Sequence, residues 1–233
     1  MSDRPAHKPI RSYVRREGRL TSAQDRALRE LLPQYQLETG TARLNFEGVF
    51  GNDQPVVMEI GFGNGSLLAG QSLQHPEFNF IGIEVHRPGV GRLLQQLLTQ
   101  GTVNVRVSDQ DAMRLLEQRI PEHSLYAMWL YFPDPWPKKR HHKRRIVNQR
   151  CLDLVARALK ENGVLHMATD WQDYAEHMQA AISNHGAFRL VTDPGETGHP
   201  FQRPTTHFEQ RGRRKGHRIT DFYAVIDKRL VNN

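Results

Sequence analysis

Short apolar runs alternate with amphipathic stretches along most of this chain. Runs at 56–60, 78–84, 103–107, 124–132, 164–169, 188–191 and 219–227 read as seven strands. The run at 103–107 alternates with period two. Helical patterns lie between them: a helix start at Ser66, then 87–100, 112–118, 146–160 and 174–184. Leu93, Leu94, Leu97 and Leu98 share one face of the second of these. Asn162-Gly163 is the expected end of helix 146–160. Upstream, a short helix is expected over 21–32, with Ser22 and Asp25 in its first turn and Pro33 closing it. Residues 34–54 read as a linker. Strands alternating with helices predict an α/β fold: a Rossmann-like, doubly wound, mainly parallel seven-stranded sheet.

The 233 residues suffice for one sizeable core. Residues 1–33 are expected to form a basic N-terminal arm with a short helix, partly disordered. Residues 34–233 are expected to form a single domain. Charge sharpens this picture. Residues 1–30, 136–150 and 201–218 carry +4, +7 and +5, against a total of +7, so the rest of the chain stands at −9. An acidic body with segregated basic segments fits a polyanion-binding surface. One cysteine, Cys151, excludes an intrachain disulfide and a cysteine-cluster zinc site, and core packing is its expected role. His141 and His142 lack metal-ligand spacing and a third ligand, so no metal is expected. The polar, basic start and the absence of a long apolar run predict no secretory signal and no membrane span. The expected compartment is the cytoplasm.

In a doubly wound sheet, ligands bind at the carboxyl ends of the strands. The first run ends in Glu59-Ile60-Gly61-Phe62-Gly63-Asn64-Gly65, a glycine-rich turn before a helix start. Its spacing is Gly-x-Gly-x-Gly, and Glu59 stands two residues before the first glycine. A carboxylate there repels a dinucleotide pyrophosphate and favours a cofactor with sulfonium and ammonium charges. S-adenosylmethionine has both and no phosphate. Glu84 ends the second run and is placed for ribose hydroxyls, a feature shared with nicotinamide enzymes. Asp111, with Asp109 as its rival, follows the third run as a candidate for the adenine amino group; helix capping is the competing role.

The fourth run stops at Pro133-Asp134-Pro135-Trp136-Pro137, a stiff extended loop with one acid and one indole. Lys138 and the basic run Arg140-His141-His142-Lys143-Arg144-Arg145 follow. Asp170 ends the fifth run. The stretch 200–212 is too polar and specific for a plain connector: Thr206 and Glu209 are candidates for substrate, and Arg211, Arg213, Arg214 and Lys215 for phosphates. Gly61–Gly65, Glu84, Asp111, Asp134 and Asp170 all fall at expected strand ends, so one site is expected.

Glu59-Ile-Gly-x-Gly-x-Gly, Gly82-Ile-Glu84-Val, Phe132-Pro-Asp-Pro-Trp136, Lys143-Arg-Arg145, Ala168-Thr-Asp170-Trp171 and Thr206-x-Phe-Glu209-Gln-Arg-Gly212 occur in this order. Together they resemble the bacterial tRNA (guanine-N7)-methyltransferase family over roughly residues 35 to 230. The resemblance implies a class I methyltransferase fold and methyl transfer from S-adenosylmethionine to N7 of a guanosine in the tRNA variable loop. It places cofactor contacts on Glu59, Glu84, Asp111 and Asp134, beside Gly61, Gly63 and Gly65 of the turn. Substrate contacts fall on Lys138, Asp170 and the stretch Thr206, His207, Phe208, Glu209, where His207 occupies a position that varies in the family. The RNA-binding segment falls on Arg140 to Arg145.

Guanine N7 has a lone pair and no proton, so its attack on a sulfonium methyl needs no general base. Alignment and charge are the difficulty, because the product base is cationic. Asp134 is the expected catalytic residue, accepting from guanine N1–H and the 2-amino group. Asp170 is expected to orient the base. Trp136 is a candidate stacking platform, with loop packing as its alternative. No obligatory protein partner is evident. Two rivals explain less. A nicotinamide-dependent oxidoreductase accounts for neither Glu59 nor the +7 run. A non-catalytic RNA-binding protein leaves the strand-end acids without a role.

Overall fold

In the computed structural model, residues 12–13 and 18–227 are described, apart from the side chains of His207 and Phe208. Of the arm expected at residues 1–33, residues 1–11 and 14–17 lie outside these.

Seven strands form one sheet in the order β3-β2-β1-β4-β5-β7-β6. They are β1 Val56–Ile60, β2 Asn79–Ile83, β3 Val105–Ser108, β4 Leu125–Tyr131, β5 Leu159–Thr169, β6 Phe188–Val191 and β7 Thr220–Ile226. β1 to β5 pair in parallel, and β7 inserts antiparallel between β5 and β6. The expected doubly wound, mainly parallel sheet is therefore present. The order of strand addition reverses between β1 and β4, where loops after neighbouring strands splay apart and leave a crevice.

The helices are α1 Ser22–Glu30, α2 Leu32–Tyr35, α3 Phe46–Phe50, α4 Ser66–Gln74, α5 Arg87–Gln100, α6 Ala112–Gln118, α7 Gln149–Ala158, α8 Gln172–Ser183 and α9 His207–Arg214. Each strand face buries a separate core. Val56, Met58, Ile60, Met128 and Leu130 pack with α6, α7 and α8. Val57, Phe80, Ala127 and Trp129 pack with α1, α4 and α5. Both faces are covered, which is why β1 and β2 are apolar throughout rather than alternating.

Three local expectations are corrected. Thr21 caps α1 through a capping box with Gln24, and Pro33 opens the single turn of α2 instead of closing a helix. The stretch 34–54 is more than a linker: it holds part of α2 and all of α3, and Gln36 bridges to Val107 at the β3 edge. Arg119, buried, ties this stretch down through the carbonyls of Glu38 and Ala42. Finally, α7 ends at Ala158, and Asn162-Gly163 sits inside β5. The β4–β5 register slips between Leu125↔Leu159 and Ala127↔Val164, so residues 160–163 bulge from the ladder. Asn162 takes φ 59° there. A side chain at Gly163 would meet the Lys160 carbonyl at 2.8 Å. The turn signal was real but served a bulge, because buried Leu159 already pairs with β4.

Candidate active site

β1 ends at Ile60, and Gly61, Gly63 and Gly65 follow with φ of 77°, 59° and 74°. Only glycine adopts this left-handed conformation cheaply three times in five residues. A Cβ at Gly61 would point into open space, whereas one at Gly65 would collide with Leu93 at 2.5 Å. Gly61 therefore opens the wall of a cavity, and Gly65 lets α4 close onto α5. Asn64 Oδ1 accepts from the Ser66 N–H at 3.1 Å and starts α4.

The cavity, about 250 Å³, is lined by Gly61, Gly63, Glu84, Ala112, Met113 and Asp134, with aliphatic side chains and Ser12 and Tyr13 of the arm among the rest. It lies at the strand ends, where the sequence placed it. Glu84 accepts from the Gly63 N–H at 2.9 Å and the His86 N–H at 2.8 Å. Burial pushes its carboxyl up, and these backbone bonds partly oppose that.

Glu59 lies behind the turn, only 3 % exposed, and its Oε2 has no hydrogen-bond partner. Burial first, and the charge of Glu84 second, push its carboxyl up to about 8. Glu59 is not among the residues that line the cavity; a buried carboxylate without a partner costs several kcal/mol by order of magnitude, and protonation avoids that cost.

The expected residues divide between locations. Gly61, Gly63, Glu84 and Asp134 share the cavity. Asp111 sits at the start of α6, where Oδ1 accepts from the Met113 and Arg114 N–H groups at 3.0 and 3.1 Å. It thus has the capping role, and it lines a second, polar cavity of about 620 Å³ beside Lys143 and Arg144. Asp170 accepts from His217 at 3.0 Å, and a side chain at Gly212 would meet its Oδ2 at 2.8 Å, so α9 packs directly on it. Thr206 caps α9 by accepting from the Glu209 N–H at 3.1 Å. Glu209 is buried, with both oxygens engaged by Arg203 and Arg213. The side chains of His207 and Phe208 lie outside the described residues.

Lys138, Arg140 and Lys143 are exposed on the 3-10 turn Lys139–Arg144 and its approach, and His141 and His142 are half-buried. Arg145 is different. It is 3 % exposed, donates to Pro135 O at 2.9 Å, pairs with Asp173, and lies over the Tyr174 ring. It pins the proline loop to α8. Trp136 is held for packing: the Arg144 guanidinium covers its ring at 4.9 Å, and its Nε1–H donates to Ser12 O at 3.1 Å.

Sequence reasoning missed a buried polar chain behind the site. Tyr131 O–H donates to His166 Nδ1 at 2.8 Å, and His166 Nε2–H donates to Asp221 at 2.9 Å. Burial would raise the Asp221 carboxyl, but bonds from His166 and Arg203 outweigh it and hold it at about 2. Asp221 is therefore acceptor-only, which fixes the His166 tautomer. The one signal was a histidine inside an apolar strand; its partner depends on the β5–β7 register, which no local pattern reveals.

A protein-family model described as a putative methyltransferase matches residues 53–222. The chain is 47 % identical to the tRNA (guanine-N(7)-)-methyltransferase of Nitrosococcus oceani, over 92 % of this chain and 89 % of that protein. It is 49 % identical to the protein of the same name from Alkalilimnicola ehrlichii, over 93 % of this chain and 92 % of that one. In fold it is similar to the 16S rRNA methyltransferase KamB, with a TM-score of 0.53 at 13 % identity over 78 % of this chain and 92 % of that one. With this coverage from end to end of the strand-end site, the chain belongs to the tRNA (guanine-N(7)-)-methyltransferase family.

Proposed function

We propose that this chain transfers a methyl group from S-adenosylmethionine to N7 of a guanosine in the tRNA variable loop, in the cytoplasm. The observation that carries the cofactor side is Glu59, a buried carboxyl with an unpartnered oxygen behind a glycine turn that opens on a cavity. Its chemistry fits an ammonium group. Glu84, two of whose bonds already come from backbone N–H groups, faces the ribose hydroxyls. Asp111 faces the adenine amino group while it caps α6. When bound, S-adenosylmethionine supplies an electrophilic methyl on a sulfonium.

The remaining work belongs to the chain. Asp134, on the cavity wall, accepts from guanine N1–H and the 2-amino group and so turns N7 towards the methyl. Its negative charge also favours the positive charge that develops on the ring. No side chain takes a proton, because N7 carries none. Lys138, Arg140, Lys143 and Arg144 hold tRNA phosphates, with Arg145 supporting the loop from beneath. Asp170 and Thr206 flank the base from the β5 and α9 side. In this reading Ser12 and Tyr13 of the basic N-terminal segment reach the cavity, α1 packs on the sheet as part of the domain, and residues 34–233 carry the methyltransferase site.

The test uses methyl-labelled S-adenosylmethionine and unmodified tRNA, followed by digestion to nucleosides. Label in 7-methylguanosine is expected. Asp134→Asn, which loses the charge but keeps the shape, should lower kcat by about 10²–10³-fold with tRNA binding retained. Label in any other nucleoside sinks the assignment.

A further inference from the structure

Arg203 joins three elements at the edge of the site, and sequence reasoning assigned it no individual role. Its side chain is 8 % exposed. Nε and Nη2 donate to the two carboxylate oxygens of Asp221 on β7 at 2.8 and 2.9 Å. Nη1 donates to Glu209 Oε2 on α9 at 2.5 Å. The guanidinium carbon lies 5.7 Å from the Tyr131 ring centroid and 5.4 Å from that of Phe132. Phe132 precedes the Pro133-Asp134 pair and takes φ 50°, a left-handed conformation that an aromatic residue rarely adopts without outside support. Thr206, three residues before Glu209, caps the start of α9.

One planar cation thus holds two carboxylates on separate elements and covers the two rings that end β4. The Tyr131–His166–Asp221 chain ties the same strand end back to β5 and β7. Arginine is required for this. A lysine ammonium is a point charge that cannot grip Asp221 bidentately, reach Glu209 and lie over the rings together. Removing the guanidinium leaves two carboxylates without their shared cation.

We propose that Arg203 is a positioning residue for methyl transfer, fixing the end of β4 that carries Asp134 relative to the start of α9 that carries Thr206. This rests on the reading in which the guanine lies between those two walls. Arg203 touches neither substrate nor cofactor in it; it acts through the Phe132-Pro133-Asp134 backbone and through Glu209. An error of about 1 Å in such an alignment costs on the order of 100-fold in rate.

The experiment compares the intact chain with Arg203→Lys, measuring kcat and KM for tRNA per cofactor-binding site, the cofactor Kd by calorimetry, and Tm. For Arg203→Lys, kcat per site should fall by about 10- to 100-fold, with KM and cofactor Kd within about threefold. A role confined to stability predicts fewer intact sites and a lower Tm with unchanged kcat per site, and that result overturns the proposal. If Arg203→Lys yields no folded protein, Asp221→Asn removes the bidentate partner while keeping its shape. It should lower kcat in the same sense; unchanged kcat there refutes the proposal too. Where both variants fold, the double variant should be no slower than Arg203→Lys alone, because both changes break one unit. The unsubstituted chain tests the reaction separately. Failure to form 7-methylguanosine counts against the assigned reaction, and the kcat comparison is then read on whichever acceptor is methylated. Formation of 7-methylguanosine with equal kcat in the variants counts against Arg203 alone.

Discussion

Glu59 shows how a single residue ties sequence to chemistry. Burial and the nearby Glu84 push its carboxyl up to about 8, so at neutral pH it is mostly protonated in the unliganded protein. An ammonium beside Oε2 reverses that preference, so cofactor binding at pH 7 should release close to one proton. Calorimetry in buffers of different ionisation enthalpy measures this release, and Glu59→Gln should abolish it and weaken binding. The same shift fixes a sign for stability. The folded chain holds this proton more tightly than the unfolded chain, so the stabilising contribution is complete below the ordinary value of 4.5 and is lost as pH rises through about 8. Thermal unfolding of the unliganded protein between pH 5 and pH 8.5 should show this decline, and Glu59→Gln should flatten it. Cys151, whose thiol burial pushes up to about 12, has the inert packing role its sequence suggested.

At the scale of elements, the site depends on how closely α5 approaches the glycine turn. A Cβ at Gly89, in the first turn of α5, would meet the Gly63 carbonyl oxygen at 2.1 Å. Backbone cannot yield as a flexible side chain does. Gly89→Ala should therefore push the turn off Glu84, destabilise the fold by about 1–3 kcal/mol and weaken cofactor binding; denaturant melts and calorimetry read the two effects. An unchanged cofactor Kd would mean that the turn adapts without cost. Elements with strong local signals were legible: β1 to β4, the glycine turn and α5 stand within two residues of their expected bounds, and β5 ends where expected. Those set by partners were not. Asn162-Gly163 signals a turn but cannot say whether that turn ends a helix or bulges a strand. The stretch 34–54 lacks periodicity because its order comes from Arg119 and the β3 edge.

At the scale of the molecule, the acidic body and the segregated basic segments resolve into different uses. Lys138, Arg140 and Lys143 remain exposed, whereas the buried guanidinium groups of Arg145 and Arg203 are paired with this chain's own carboxylates. Charge counting treats them alike. Affinity for tRNA should fall steeply with salt, and neutralising Arg140 and Lys143 together should reduce the slope of log K against log salt by roughly 0.7–0.9 per lost phosphate contact. Neutralising Arg140 alone should leave cofactor affinity unchanged, as Arg140 lines neither the first cavity nor the one that holds Asp111. A salt slope unaffected by both changes would move the RNA path elsewhere. Among the described residues no helix is long and apolar enough to cross a membrane.

The sequence by itself determined the sheet, the strand-end position of the site and the acids and glycines that line it, because short-range periodicity and glycine's conformational freedom act within a few residues. Only the tertiary structure decided which charged groups are available. Whether Arg145, Arg203, Glu209 or Asp170 faces a ligand or a neighbour depends on strand register and on contacts between segments as many as 72 residues apart in the chain. Sequence spacing does not encode such contacts, and burial makes their pairing obligatory once they form.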